Sequence, residues 1–155
     1  MPQPYETGRI ELTDWATTES ALKAIRETVF IHEQRVPVEL EWDGLDSSCA
    51  HVLAWNDHGE AIGTARMQQN GTIGRMAVLK DWRRRGVGRA LLKTLLDLAA
   101  RQGLTRVTLS AQTHALGFYE RAGFHAIGAP FIDAGIPHRK MVKELMVPQA
   151  NLDRQ

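Results

Sequence analysis

The chain has one cysteine, few aromatic residues and no long apolar run, and each scarcity excludes a class of protein. A lone thiol, Cys49, excludes an internal disulfide and suits a reducing compartment; a buried structural role is the usual one for such a residue. No apolar stretch approaches the roughly 18 residues that cross a membrane, and the polar N-terminus lacks a signal-peptide pattern. We therefore expect a cytoplasmic protein with no membrane partner.

Net charge is also scarce. The 19 basic and 18 acidic side chains leave a charge of +1, which is too even for a general nucleic-acid footprint, so no nucleic-acid partner is expected. The charges are nevertheless segregated, because residues 33–46 are mainly acidic and residues 80–89 carry four arginines and a lysine. A polyanionic ligand at the basic segment and a cationic one near the acidic segment would suit this distribution, although solvated loops often carry such runs.

Length and hydrophobic content indicate a single globular domain. The 155 residues, 43% hydrophobic and 24% charged, are enough to bury one core without disulfides. We expect one domain over residues 1–155, with its core at about 9–145.

Hydrophobic periodicity and turn residues predict alternating strands and helices. Thr17 or Thr18 is expected to cap the first helix. Antiparallel hairpins followed by a strand–helix–strand crossover predict an α/β fold: a twisted, mixed sheet with helices on both faces. The expected strands are 9–14, 49–55, 60–67, 72–79, 106–109, 124–128 and 137–146, and the expected helices run from the cap to about Gln34, from the glycine turn to Gly103, and over 113–122.

One short run combines dense positive charge with the glycines of a tight turn. Glycines at 86 and 88 allow successive backbone N–H groups to point at one anion, and a helix that begins there adds the positive end of its dipole. Arginine adds charge and forked hydrogen bonds. Solvated basic turns are common, but the pattern is typical of a phosphate-binding loop. Its members are Arg83, Arg84, Arg85, Gly86, Val87, Gly88 and Arg89.

Two motifs, in the order in which they follow each other along the chain, resemble those of the GNAT superfamily of N-acetyltransferases. The strand Ile73–Val78 leads into Arg83-x-x-Gly86-x-Gly88, and a later Phe118-Tyr119 pair is followed by Gly123-Phe124. The resemblance covers about residues 9–145. A narrower likeness, carried by residues 29–34, 43–46 and His51, is to a subgroup of small bacterial GNAT proteins whose acceptor is generally unassigned.

This resemblance implies an acetyl-CoA-dependent N-acetyltransferase that acts on a primary amine by direct attack in a ternary complex. In such a fold the fourth and fifth strands, here 72–79 and 105–110, splay apart to admit the pantetheine arm. The phosphate-binding loop would hold the pyrophosphate of CoA, and a homodimer is common in the family. The backbone of Met76, Ala77 and Val78 would bind the pantetheine, the Val78 N–H would polarise the thioester carbonyl, and Gln112 stands where many members have a cofactor-contacting asparagine.

The resemblance also implies that Tyr119 is the general acid. A phenol with an ordinary pKa of about 10 stays protonated at neutral pH and can protonate a departing thiolate. Without the surrounding motif, a tyrosine in a helix is usually an amphipathic packing residue.

Glu33 is the candidate for the base or acceptor-binding group. It closes the apolar stripe of the first helix at the end where the dipole disfavours a carboxylate, so either a structural partner (Arg66, Arg75 or His51) or a functional role should offset the cost. Gln34, His51 and His138 are further candidates for acceptor binding. No metal cluster and no Gly-x-Ser-x-Gly nucleophile turn stands out.

Two other functions are compatible with parts of the sequence. One is a catalytically silent acyl-CoA-binding sensor, and retention of Tyr119 and Glu33 argues against it. The other is nucleic-acid binding through the arginine run, which lacks basic charge elsewhere. Acceptor identity depends on segments 33–47 and 130–139, whose geometry a sequence does not reveal.

Overall fold

A computed structural model describes residues 8–146; residues 1–7 and 147–155 of the predicted domain lie outside the described residues. The main elements are seven strands, four α-helices and one π-helix. In chain order they are β1 (Arg9–Thr13), α1 (Trp15–Arg26), the π-helix (Glu27–Glu33), α2 (Val38–Glu41), β2 (Ala50–Trp55), β3 (Ala61–Met67), β4 (Thr72–Val78), α3 (Val87–Arg101), β5 (Arg106–Gln112), α4 (Leu116–Arg121), β6 (His125–Asp133) and β7 (Ile136–Glu144), with 3₁₀ turns at Asp46–Ser48, Lys80–Trp82 and Thr113–Ala115.

All seven strands form one mixed sheet in the order β1-β2-β3-β4-β5-β7-β6. Only β4 and β5 are parallel, and they pair at just two positions, Thr72 with Thr108 and Ile73 with Leu109. Beyond those pairs the two strands diverge, so the predicted mixed sheet and its splayed fourth and fifth strands are confirmed.

Helices cover both faces of the sheet, as predicted. Alternating side chains of a strand point to opposite faces, and in β2 the buried Val52 belongs to the core beneath α3, whereas its neighbour Leu53 belongs to the core beneath α1. Leu91 and Leu95 of α3 are fully buried in the first core. The sheet is therefore covered on both faces, and its parallel strands β4 and β5 part from each other after two residue pairs.

The first helix begins earlier than predicted. Asp14 caps it, accepting a hydrogen bond from the Thr17 N–H (2.8 Å), so the prediction of a Thr17 or Thr18 cap is wrong. Thr18 has non-helical backbone angles inside α1, and its hydroxyl donates back to Asp14 O (2.9 Å). The last two turns widen into the π-helix, which ends at Glu33, close to the predicted end.

β6 and β7 form a longer hairpin than the sequence predicts. β6 extends to Asp133 rather than to residue 128, with a register shift between Ile127 and Phe131. The connecting residues Ala134 (φ 52°) and Gly135 (φ 77°) are both left-handed, which is the geometry of a tight two-residue hairpin turn. In residues 8–146, no helix is both long enough and apolar enough to cross a bilayer.

Candidate active site

A cleft of about 1670 Å³ opens where β4 and β5 diverge. Its walls are the π-helix on one side, the 83–89 loop and the start of α3 at one end, and α4 with β7 on the other side. Single-ligand pockets are typically about 300–1,000 Å³, so the cleft has room for more than one small molecule.

The 83–89 loop turns the chain from β4 into α3. Arg84 (φ 63°) and Gly86 (φ 89°) take left-handed backbone conformations. The first backbone bond of α3 runs from the Ala90 N–H to Gly86 O (3.1 Å). The N–H groups of the first three helical residues therefore lack intrahelical acceptors and lie at the positive end of the helix dipole, the arrangement that favours an anion.

The four arginines of this loop have different partners. Arg84 and Arg89 line the cleft, and neither makes a hydrogen bond or ion pair within the described part of the chain. Arg85 instead lies 4.3 Å from the centre of the Trp82 ring, and Arg83 is held by other groups of the protein. Only two of the four arginines are thus unengaged and beside the cleft.

The two glycines of the loop serve different purposes. A Cβ atom on Gly88 would lie 3.3 Å from Phe118 Cζ and 3.8 Å from Met76 Sδ, so Gly88 permits a close approach between α3 and α4. A Cβ atom on Gly86 would contact nothing within 4 Å. Glycine is needed at this position because the backbone is left-handed. Val87 between them buries its side chain in the core.

The backbone of β4 presents free polar groups to the gap. The Leu79 N–H donates to Ile62 O of β3 (2.9 Å), and consecutive N–H groups of an extended chain point to opposite edges. The Val78 N–H therefore points toward the gap, where β5 has already diverged. Val78 O, on the same edge, accepts a hydrogen bond from Arg83 Nε (2.9 Å), which ties the end of β4 to the 83–89 loop.

Tyr119 lies on α4 and lines the cleft. Its ring makes edge-on contacts with Phe118 (5.0 Å) and Phe124 (5.9 Å), and its hydroxyl donates to Met76 Sδ (3.7 Å). Burial disfavours the phenolate and raises the pKa of Tyr119 to about 12. The group is a protonated donor at any physiological pH.

Glu33 is more exposed than predicted, and its partner is different. The three partners considered, Arg66, Arg75 and His51, are wrong: both carboxylate oxygens accept from Arg83, at 2.6 and 2.7 Å. The Glu33 side chain is 40% exposed. The hydrogen bonds from Arg83 hold the pKa of Glu33 below its ordinary value, so this carboxylate is charged and a weak base.

Most of the acidic segment is paired with arginines that the sequence analysis left unassigned. Arg26, which is 1% exposed, donates to Glu41 Oε2 (2.8 Å) and Asp46 Oδ1 (2.6 Å). Arg66 donates to Asp46 Oδ1 (2.9 Å) and to both oxygens of Asp43. Burial opposes ionisation of Asp43, but the Arg66 hydrogen bonds outweigh it and lower the pKa to about 2. The acidic segment is therefore largely neutralised and does not form the predicted cationic-ligand patch.

The same network supports a bulge in β4. The register with β3 shifts between Thr64 and Arg66, and Arg75 in the bulge has a left-handed backbone (φ 51°). Its guanidinium donates to Leu40 O and Glu41 O (both 3.1 Å) and to Asp43 Oδ2 (3.2 Å). Such strained positions persist only where surrounding contacts hold them, and bulges beside sites re-aim the strand.

Replacing Arg26 with Met should destabilise the fold by about 3–5 kcal/mol, because the buried Glu41 and Asp46 lose a charged partner. Urea unfolding measures the loss. Lys93→Met, which removes one member of the exposed Lys93–Asp97 pair (2.8 Å), is the matched control and should cost under about 1 kcal/mol. Equal losses in the two variants would contradict a structural role for the network.

Two of the predicted acceptor-binding residues, Gln34 and His138, come together with Gln112, which is predicted to contact the cofactor. Gln112 Nε2, at the end of β5, donates to Gln34 Oε1 (2.9 Å) at the end of the π-helix, which bridges the gap. His138 faces Gln112 in the β5–β7 register, and all three residues line the cleft.

His51 is not brought to the cleft. It is 1% exposed, its Nε2 bonds to Asp46 O (2.8 Å), and its ring lies 5.7 Å from Trp15. Burial lowers the pKa of His51, which indicates a neutral structural histidine. Among residues 8–146, no group of three His, Cys, Asp or Glu side chains could hold a metal ion.

Comparisons with known proteins agree with this geometry. The sequence model of the acetyltransferase (GNAT) domain matches residues 16–145. The chain is 38% identical over 124 residues to the uncharacterized N-acetyltransferase YjcF of Bacillus subtilis, covering 77% of this chain and 88% of that one.

Solved structures show the same fold. An acyl-CoA N-acyltransferase from Pseudomonas aeruginosa superposes with a TM-score of 0.76 at 32% identity, covering 87% of this chain and 99% of the other. Escherichia coli ElaA superposes with a TM-score of 0.79 at 28% identity, covering 88% and 99%. With a family match over most of its length and a sheet that splays where CoA would enter, this chain belongs to the GNAT family of N-acetyltransferases.

Proposed function

We propose that the protein transfers the acetyl group of acetyl-CoA to a primary amine by direct attack in a ternary complex. One observation carries the proposal: anion-binding N–H groups, the free N–H of Val78 and the protonated hydroxyl of Tyr119 all border a single cleft. Acetyl transfer needs these groups together, since the thioester carbonyl gains negative charge as its sulfur leaves.

The cofactor would lie along the diverging edge of β4. The N–H groups at the start of α3, with Arg84 and Arg89, would hold the pyrophosphate, and the backbone of Met76 and Val78 would hold the pantetheine. Ala77 faces Thr64 in the β3–β4 register, so its N–H and C=O point away from the gap. Arg83 would shape the site indirectly through Val78 O, and Gln112 would contact the cofactor from β5. A single oxyanion donor such as the Val78 N–H is worth about 3 kcal/mol.

The acceptor would enter between the π-helix and the β6–β7 hairpin. Glu33 at the mouth, charged and bonded to Arg83, would orient an ammonium group by accepting a hydrogen bond from it rather than take its proton. Gln34 beside it would offer a hydrogen bond. The described part of one chain supplies every group invoked, so a homodimer, though common in the family, is not required for this chemistry.

Direct attack is favoured over an acyl-cysteine intermediate. Cys49 is 6% exposed, its thiol donates to Leu45 O (3.2 Å), and burial raises the pKa of this thiol. A protonated, buried thiol is a poor nucleophile. A cytoplasmic setting suits both the reduced thiol and the use of acetyl-CoA.

A free-thiol release screen with acetyl-CoA against an amine library tests the proposal. At least one primary amine should accelerate thiol release and appear acetylated by mass spectrometry, and Cys49→Ala should release thiol at a rate within twofold of wild type. Tight acetyl-CoA binding with no release for any amine would favour the silent sensor instead. Loss of activity in a folded Cys49→Ala variant would contradict direct attack.

A further inference from the structure

The hydrogen bonding of His138 selects one tautomer of its ring. Its Nδ1 lies 2.7 Å from Ile136 O. A carbonyl oxygen only accepts, so Nδ1 carries a proton and, in the neutral imidazole, Nε2 carries the lone pair. An imidazole oriented through one nitrogen so that the other can accept a proton is the arrangement that general bases use.

The position of His138 suits that task. The residue is 9% exposed, lines the cleft and faces Gln112 at the end of β5, across the gap from β4. Phe131 stacks on its ring at 5.8 Å and 23°, which restrains the ring plane. Within residues 8–146, Nε2 has no hydrogen-bond partner.

Other titratable groups of the cleft are less suitable as bases. Glu33 is committed to Arg83. Glu41 Oε2 accepts from Arg26 (2.8 Å) and lies 3.2 Å from Arg75 Nε. This carboxylate is therefore engaged by two arginines of the buried network and does not serve as the base. Tyr119 retains its own proton. His138 has a lone pair that no protein group occupies.

We propose that His138 is the general base that deprotonates the acceptor, which rests on the proposed N-acetyltransferase function. Nε2 takes one proton from the ammonium form, and the freed amine attacks the thioester carbonyl carbon to form the C–N bond. As the C–S bond breaks, Tyr119 protonates the leaving sulfur and recovers one of the two protons that remain on nitrogen, while the other stays as the amide N–H. The first proton passes from His138 to solvent, so one ammonium and one thioester yield one amide, one thiol and one proton.

The titratable and charged groups on the elements around His138 must be considered as rivals in any test of its role. On the elements that surround it, they are Asp133 of β6, Arg139 of β7, His114 of the turn after β5, Tyr119 of α4, and Glu33 and Glu41 across the cleft. Arg139 is turned outward to Gly128 O (2.7 Å). His114, which also lines the cleft, is the rival histidine that the test must separate.

His138→Asn tests the proposal, because the Asn amide can replace the Nδ1 donor toward Ile136 O while nothing replaces Nε2. The variant should bind acetyl-CoA as wild type does and lose roughly 10²-fold in kcat/KM at pH 7, with the fastest alkylamine of the screen as acceptor. The deficit should shrink by roughly tenfold per pH unit toward the pKa of that amine, as solution takes over deprotonation. Hydroxylamine, uncharged at neutral pH, should restore the rate to near wild type.

Two further variants complete the design. His125→Asn alters an exposed histidine of β6 outside the cleft and should leave kcat/KM unchanged. His114→Asn should show neither the pH-dependent deficit nor the hydroxylamine rescue; if it shows both and His138→Asn neither, the proposal is overturned. A deficit equal for both acceptors at every pH would also overturn it. If His138→Asn does not fold, His138→Gln supplies the same comparison. Absence of thiol release by wild type would instead refute the underlying function.

Discussion

Tyr119→Phe should lower kcat by about 10²-fold or more while leaving acetyl-CoA affinity nearly unchanged. The phenylalanine ring keeps the edge-on contacts with Phe118 and Phe124, and within residues 8–146 the only hydrogen bond lost is the weak one to Met76 Sδ. What disappears is the proton donor for the leaving thiolate, and removal of a general acid typically costs this much.

Single-turnover thiol release separates this chemical step from cofactor binding, which calorimetry measures on the same preparation. The pKa of about 12 adds a second expectation. Ionisation of Tyr119 should impose no basic limb on wild-type kcat below about pH 11, because the acid form persists until its pKa is approached. A kcat within twofold of wild type in the folded variant would remove Tyr119 from the mechanism.

Periodicity predicted the order and type of the seven strands and of α1, α3 and α4, because long amphipathic stripes and alternating strands are decided locally. It did not predict the π-helix, whose residues it assigned to a continuation of α1, or the single turn of α2, which lies in a predicted loop. It placed the start of α1 wrongly, since Asp14, Thr17 and Thr18 are all capping residues within one turn, and the stronger preference for Asp at an N-cap was overlooked. The β6–β7 hairpin was underestimated because Gly128 and Pro130 interrupt the strand pattern, and the Ala134–Gly135 turn lacks the usual asparagine or aspartate signal.

The hydrogen-bond partners of the polar side chains in the candidate site could not be predicted from periodicity. Glu33 and Arg83 are 50 residues apart, and nothing local indicates that one accepts from the other. For the buried network, the sequence contains one local signal. Arg26 follows Leu22 by four residues, so it falls on the inward stripe of α1, where an arginine requires carboxylate partners. Which carboxylates serve it depends on the folded path of residues 41–46.

Gly88→Leu should weaken acetyl-CoA binding by about 10²-fold or more, equivalent to about 2.7 kcal/mol. Its Cβ would already lie 3.3 Å from Phe118 Cζ, so the remaining atoms must occupy the space through which a phosphate would reach the helix N–H groups. Helix propensity acts in the opposite direction, because leucine is favoured over glycine inside a helix by about 1 kcal/mol. Acetyl-CoA affinity is therefore expected to fall while the helix propensity of α3 rises.

Because these two quantities are expected to change in opposite directions, a loss of affinity in Gly88→Leu can be assigned to the phosphate-binding loop rather than to a weakened helix. Calorimetric titration with acetyl-CoA should show the loss in Gly88→Leu and a smaller loss in Gly88→Ala, whose single methyl group meets the edge of Phe118 and Met76 Sδ. Arg101→Leu, at the exposed far end of α3 and outside the cleft, introduces the same side chain and should bind as wild type does. If a folded Gly88→Leu variant binds acetyl-CoA with unchanged affinity, the cofactor does not approach α3 at Gly88, and the anion-binding role of residues 83–89 fails with it.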